Sequence, residues 1–81
     1  DDGQAQFSVQ VPDDVRQLSV EHVFSNLKRY YNAILIGYAP GGVYKNVVLN
    51  PDLSHTISGG DKLFYIAGGR LNNIDWQRLG D

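Results

Sequence analysis

Two runs of consecutive apolar residues, Ala33-Ile34-Leu35-Ile36 and Leu63-Phe64-Tyr65-Ile66, constrain the fold most tightly. Side chains alternate between the two faces of a strand, so a strand that is apolar at every position needs cover on both sides. Pro40-Gly41-Gly42, Asn50-Pro51-Asp52 and Ser58-Gly59-Gly60-Asp61 separate these runs from each other and from a third apolar stretch, Val43 to Leu49. Proline presets φ and glycine tolerates positive φ, so each block reads as a reversal or a strand end. Residues 33 to 67 therefore read as three strands of an antiparallel meander.

Upstream, Phe7, Val9 and Val11 alternate with Gln6, Ser8 and Gln10, the period of a strand with one buried and one wet face, and Pro12 ends it. After a turn at Asp13-Asp14, Val20, Val23, Phe24, Leu27 and Tyr31 recur at i, i+3, i+4, i+7 and i+11, one face of a helix. Ser19 is placed to cap this helix, Glu21 suits its positive end, and Lys28 and Arg29 suit its negative end. Asn32 accepts the left-handed backbone that stops it. Asn73, Asp75, Trp76 and Leu79 suggest a short terminal helix capped by Asn72 or Asn73. The fold class is α+β in the order β-α-β-β-β: a largely antiparallel sheet with one main helix on one face and a short C-terminal helix. Residues 1–81 form one domain, with 70–81 as a short appendage.

A chain of 81 residues buries only about 60–65% of its unfolded surface, which leaves a monomer marginally stable. There is no cysteine, so no disulfide and no thiolate metal site supplements the core. That composition fits a reducing cytoplasm. The lack of methionine suggests a fragment or processed piece of a longer protein. An apolar sheet face without a second layer has to be covered by another chain, and Tyr38, Tyr44 and Tyr65 add amphipathic surface along the strands. A homodimer is the expectation. The net charge of −2, with seven Lys and Arg scattered along the chain, provides no basic stripe for nucleic acid. Asp1-Asp2 and Asp13-Asp14 read as solvated terminal or turn residues. No apolar run approaches the ~20 residues that cross a bilayer, and no signal peptide is recognisable.

Catalysis needs a nucleophile, base or metal whose partners converge. His22 lies off the apolar face of the helix and reads as solvent-facing, while His55 lies in the polar loop after Pro51. The two histidines lack the spacing of a metal-ligand motif. The pairs Gly41-Gly42, Gly59-Gly60 and Gly68-Gly69 lie at strand ends and match neither G-x-G-x-x-G nor the P-loop. The chain is therefore read as non-enzymatic, with no catalytic residue, no metal ligand and no cofactor that can be named.

Five segments in order carry a family resemblance: Phe7-x-Val9-x-Val11-Pro12, Leu18-Ser19-Val20, Asn32-Ala33-Ile34-Leu35-Ile36-Gly37, Leu49-Asn50-Pro51-Asp52 and Ile57-x-x-Gly60-Asp61-x-Leu63. Together they resemble the C-terminal RCK subdomain, also called the TrkA-C domain, over nearly the whole chain up to Gly69. The spacing of Asn50-Pro51 from I-x-x-G-D-x-L is the most specific part. Asn32 to Gly37, Gly60 to Ala67 and Asp75-Trp76 look most like the versions found in potassium channels.

The resemblance implies a cytoplasmic regulatory domain, attached to or associated with an inner-membrane potassium channel or transporter. Such a domain dimerises, takes a small-molecule or ion effector and couples ligand binding to gating. A ligand-free oligomerisation module and a cyclic di-AMP receptor domain of a cation transporter are the alternatives. In the cyclic di-AMP binders an arginine follows the I-L-I-type strand; here Ala39 or Pro40 stands in its place, while Asn46 matches their asparagine with an offset of one residue. Without that arginine a phosphate lacks its usual partner. Asp13, Asp14, Asp52 and Asp61 offer oxygen donors for a divalent cation, although Asp61 also suits a role in the Gly60 turn. The expected ligand groove is lined by Ile36, Tyr38, Asn46 and Asn50, with Arg29 as a cation at its rim.

Overall fold

A computed structural model describes residues 3–81; the Asp1-Asp2 pair and its expected solvated role lie outside the described residues. The helical period at 20–31 yields α1, Val20–Tyr31. Ser19 caps it, its hydroxyl accepting the His22 N–H at 3.0 Å, and Asn32 ends it at φ 52. Glu21 lies in the first turn and Lys28 and Arg29 in the last, matching the helix dipole. Val20, Val23 and Leu27 are buried, each contributing roughly 1.5–3 kcal/mol of apolar transfer. Asn26 is buried with them, whereas Phe24, which the period places on the apolar face, is exposed.

Four strands form the main antiparallel sheet: β1 (Ala5–Gln10), β3 (Ile34–Ala39), β4 (Val48–Leu49) and β6 (Lys62–Ala67), in the order β1-β6-β3-β4. A second, minimal pair joins β2 (Leu18–Ser19) to β5 (Thr56–Ile57). Register decides what each sheet face carries. Phe7 lies opposite Tyr65, which lies opposite Leu35; Val9, Leu63 and Tyr38 form the next row. These rows belong to the core with Val23 and Leu27 of α1. On the opposite face Gln6, Ile66 and Ile34 align, followed by Ser8, Phe64, Gly37 and Leu49. The register shifts between Leu35 and Gly37, so Ile36 is the extra residue of a bulge.

The stretch Val43 to Leu49, expected as a strand, is one only at Val48–Leu49. A short 3-10 turn, Tyr44–Asn46, replaces its beginning, and another, Pro40–Gly42, precedes it at the expected reversal. Gly41 and Gly42 adopt φ 63 and 75, and the Gly41 N–H donates to Asp61 Oδ1 at 2.8 Å. Residues 43–46 are all exposed, so no burial pattern imposes an extended backbone there. Asp61 itself is buried and also accepts the Ser58 N–H at 2.8 Å, the turn role expected of it.

The terminal helix α2, Trp76–Leu79, is capped by Asp75 rather than Asn72 or Asn73: Asp75 Oδ1 accepts the Arg78 N–H at 3.1 Å. Asn73 sits at φ 56 in the bend before it. The segment is fastened to the domain at several points. Leu79 is fully buried, Tyr65 and Tyr31 hydroxyls accept the N–H groups of Leu71 and Asp75, and the Asn26 amide donates to three carbonyls near the chain end.

Candidate functional site

The sheet face turned away from α1 has no second layer among the described residues, and an open groove of about 620 Å³ runs along it. Its shape follows from two local features. Gly37 lets β4 approach closely, since a Cβ there would lie 2.6 Å from the Val48 carbonyl oxygen. Asn50, at φ 46, then turns the chain away after donating its N–H to the Ile36 carbonyl at 2.8 Å. The edge of β3 near Ile34 is thus left without a partner strand, and Ile34, Leu49 and Phe64 line the space. Phe24 reaches the same groove from α1. Tyr44 leans over Phe64 with ring centroids 5.6 Å apart; it is 70% exposed and Leu49 is 67% exposed. None of the groove-lining residues is charged.

Of the five residues expected at a groove, Ile36 and Asn50 line this one. Tyr38 is buried on the core face, its hydroxyl 3.1 Å from His55 Nδ1, with the two rings edge-on at 6.1 Å. Asn46 is exposed in the second 3-10 turn and Arg29 is exposed at the end of α1; neither reaches the lining. Tyr30, beside Arg29, is stacked under the Arg78 guanidinium at 4.6 Å. Phe24, Ile34, Tyr44, Leu49 and Phe64 were not among the expected lining residues. Their signal was the two-sided apolar character of the strands, which marks a face without selecting its residues.

A second cavity of about 390 Å³ adjoins the first, sharing Gln6, Tyr44 and Phe64. Lys62 and Arg70 are its charged groups, and it has no carboxylate in its lining. Arg70 Nη1 donates to the Ser8 carbonyl at 3.2 Å, and its guanidinium carbon lies 5.2 Å from the centre of the Phe7 ring. His22 is exposed and His55 is engaged with Tyr38. Among the described residues no group of three or more His, Asp or Glu side chains is placed to hold a metal ion. Both Asp61 oxygens are occupied by backbone N–H groups.

No helix among the described residues is long and apolar enough to cross a membrane. No family model and no curated protein matches the sequence. Among solved structures the chain is similar to the human SLO3 gating ring, with a TM-score of 0.66 and 19% identity over 83% of this chain. It spans 12% of the length of that chain. At this identity the likeness is one of fold.

Proposed function

We propose that the chain is a non-catalytic regulatory domain of the RCK C-terminal type, cytoplasmic and belonging to a potassium channel or transporter. It acts as a dimer and couples the binding of a small effector to gating. The observation that carries this reading is the uncovered sheet face with its uncharged groove. The sequence resemblance and the fold likeness to a gating ring support it from two directions. The open face serves both assembly and effector binding: a ligand that occupies it better in one arrangement of the chains shifts the population toward that arrangement, with a coupling of typically ~1–3 kcal/mol.

Leu49→Asp tests the assembly part. Leu49 is 67% exposed, so the change leaves the core intact while placing a charge on the face. Sedimentation equilibrium is expected to show a dimer for the parent chain and a monomer for the variant. A parent chain that stays monomeric at tens of micromolar overturns the reading. A ligand-free assembly module is the second reading, favoured by the purely uncharged lining of the larger groove. A thermal-shift screen with calcium, potassium, adenine nucleotides and cyclic di-AMP separates the two, because a dimer that responds to no effector belongs to the second.

A further inference from the structure

We propose that the open face binds an amphipathic anion, a single acyl chain with a phosphate or carboxylate head. The chain lies in the apolar groove and the head at Lys62 and Arg70. This rests on the reading of the face as an effector surface and names the effector's chemistry.

The two cavities adjoin and differ in character. They share Gln6, Tyr44 and Phe64, and their volumes of about 620 and 390 Å³ fall within the range of small-molecule sites. The larger end, floored by Ile34, Leu49 and Phe64, offers an anion no charged partner and few donors to replace its hydration, so an apolar group gains most by entering it. The smaller end concentrates two cations without a carboxylate in its lining, although the chain as a whole carries a net charge of −2. Lys62 is half-buried, and its side chain makes no hydrogen bond or ion pair among the described residues, which leaves its ammonium group available. Arg70 has one nitrogen engaged with the Ser8 carbonyl and keeps further N–H donors for a head group. A nucleobase fits this groove poorly. Its ring nitrogens would find only the Gln6 and Asn50 amides and the Tyr44 hydroxyl along a lining otherwise apolar, whereas an acyl chain needs no polar partner.

The test titrates the 81-residue chain with dodecyl phosphate and with laurate, each below its aggregation concentration, by isothermal titration calorimetry. Saturable binding is expected for both. Hexyl phosphate should bind at least about tenfold more weakly, and Lys62→Gln combined with Arg70→Gln should weaken dodecyl phosphate at least about tenfold. Circular dichroism checks that the double variant is folded, and Lys62→Gln alone serves if it is not. Inorganic phosphate and dodecyltrimethylammonium should not bind. Equal binding of the cationic amphiphile, equal binding of inorganic phosphate, or an unchanged affinity in a folded variant overturns the proposal. Pelleting with phosphatidylglycerol against phosphatidylcholine vesicles identifies the source. Selective pelleting with the anionic vesicles points to a membrane lipid, and binding of monomeric amphiphiles alone points to a free acyl anion. Sedimentation of the same samples keeps the outcomes apart: a dimer that ignores every amphiphile refutes this proposal, and a monomer that binds them refutes the assembly reading.

Discussion

Asn26→Ala removes the side chain that fastens the end of the chain to α1, and the cost can be worked from three distances. Asn26 Nδ2 lies 3.1 Å from the Arg78 carbonyl oxygen, 3.1 Å from that of Leu79 and 3.2 Å from that of Asp81. An amide nitrogen carries two hydrogens, so at least one is shared between acceptors. These carbonyls lie at the C-terminal end of α2, where intrahelical partners run out; that of Arg78 also accepts the Asp81 N–H at 3.2 Å. The Leu79 bond is buried, and an acceptor orphaned there loses about 1–3 kcal/mol. The other two bonds are partly buried, and water takes over most of their contribution. A total of about 2–3 kcal/mol follows, a large part of the roughly 4–12 kcal/mol that a chain of this length has. The expected fall in Tm is roughly 10–20 °C. Circular dichroism measures it, and fluorescence of Trp76, the single tryptophan, reports whether the terminal segment leaves the domain. Asn26→Asp supplies the sharper comparison. It is nearly the same size but presents acceptors to acceptors, so it should be less stable than the alanine variant. A loss below about 0.5 kcal/mol for alanine, or an aspartate variant at least as stable as alanine, refutes the donor role assigned to Asn26.

Gly59→Ala should be destabilised by more than about 2 kcal/mol in urea denaturation, because its Cβ would fall 2.6–2.8 Å from the carbonyl oxygens of Asp13, Pro12 and Val15. Gly69→Ala, with open space around it, should stay within about 0.5 kcal/mol of the parent. Asp61→Ala removes two carboxylate hydrogen bonds of 2.8 Å, to Gly41 and Ser58, and is expected to cost about 3–5 kcal/mol by the same measurement. Ser19→Ala removes the cap of α1 and should lower stability by about 1 kcal/mol, with helical ellipticity at low temperature nearly unchanged.

The helix was legible in the sequence because three independent signals agree at one place: the apolar period, Ser19 at its start and Asn32 at its end. Phe24 shows where periodicity stops short. The buried arc of α1 runs through Val23, Asn26 and Leu27, turned toward the terminal segment, and Phe24 falls outside it into the groove. Asn26 carried no signal of its own, since a polar residue beside an apolar stripe ordinarily faces water. The misread strand at Val43 to Leu49 has a different cause. Its valines and tyrosine favour strands, but local turns seeded by Pro40 and held by the Asp61 carboxylate across the fold set the backbone. A contact between residues 41 and 61 has no trace in either local sequence. The uncovered face was legible from the consecutive apolar residues. Which of them line the groove was not, because the bulge at Ile36 and the early end of β4 shift the register there.

The central position of β6 has a consequence for how the domain comes into being during synthesis. β1 is complete by residue 10, yet its partner strand among the described residues begins at residue 62, and β3 also depends on that strand for most of its pairing. A ribosome adding about 5–20 residues per second needs roughly 3–10 s to cover the intervening 50 or so residues. Throughout that interval the nascent chain has α1, its turns and the short β3–β4 and β2–β5 pairs available but no full sheet to lay them on. Ile34, Leu35 and Ile36 wait unpaired, a segment that a chaperone or a neighbouring nascent chain can bind. Folding is then a late, nearly simultaneous event, in which arrival of β6 joins both halves of the sheet at once.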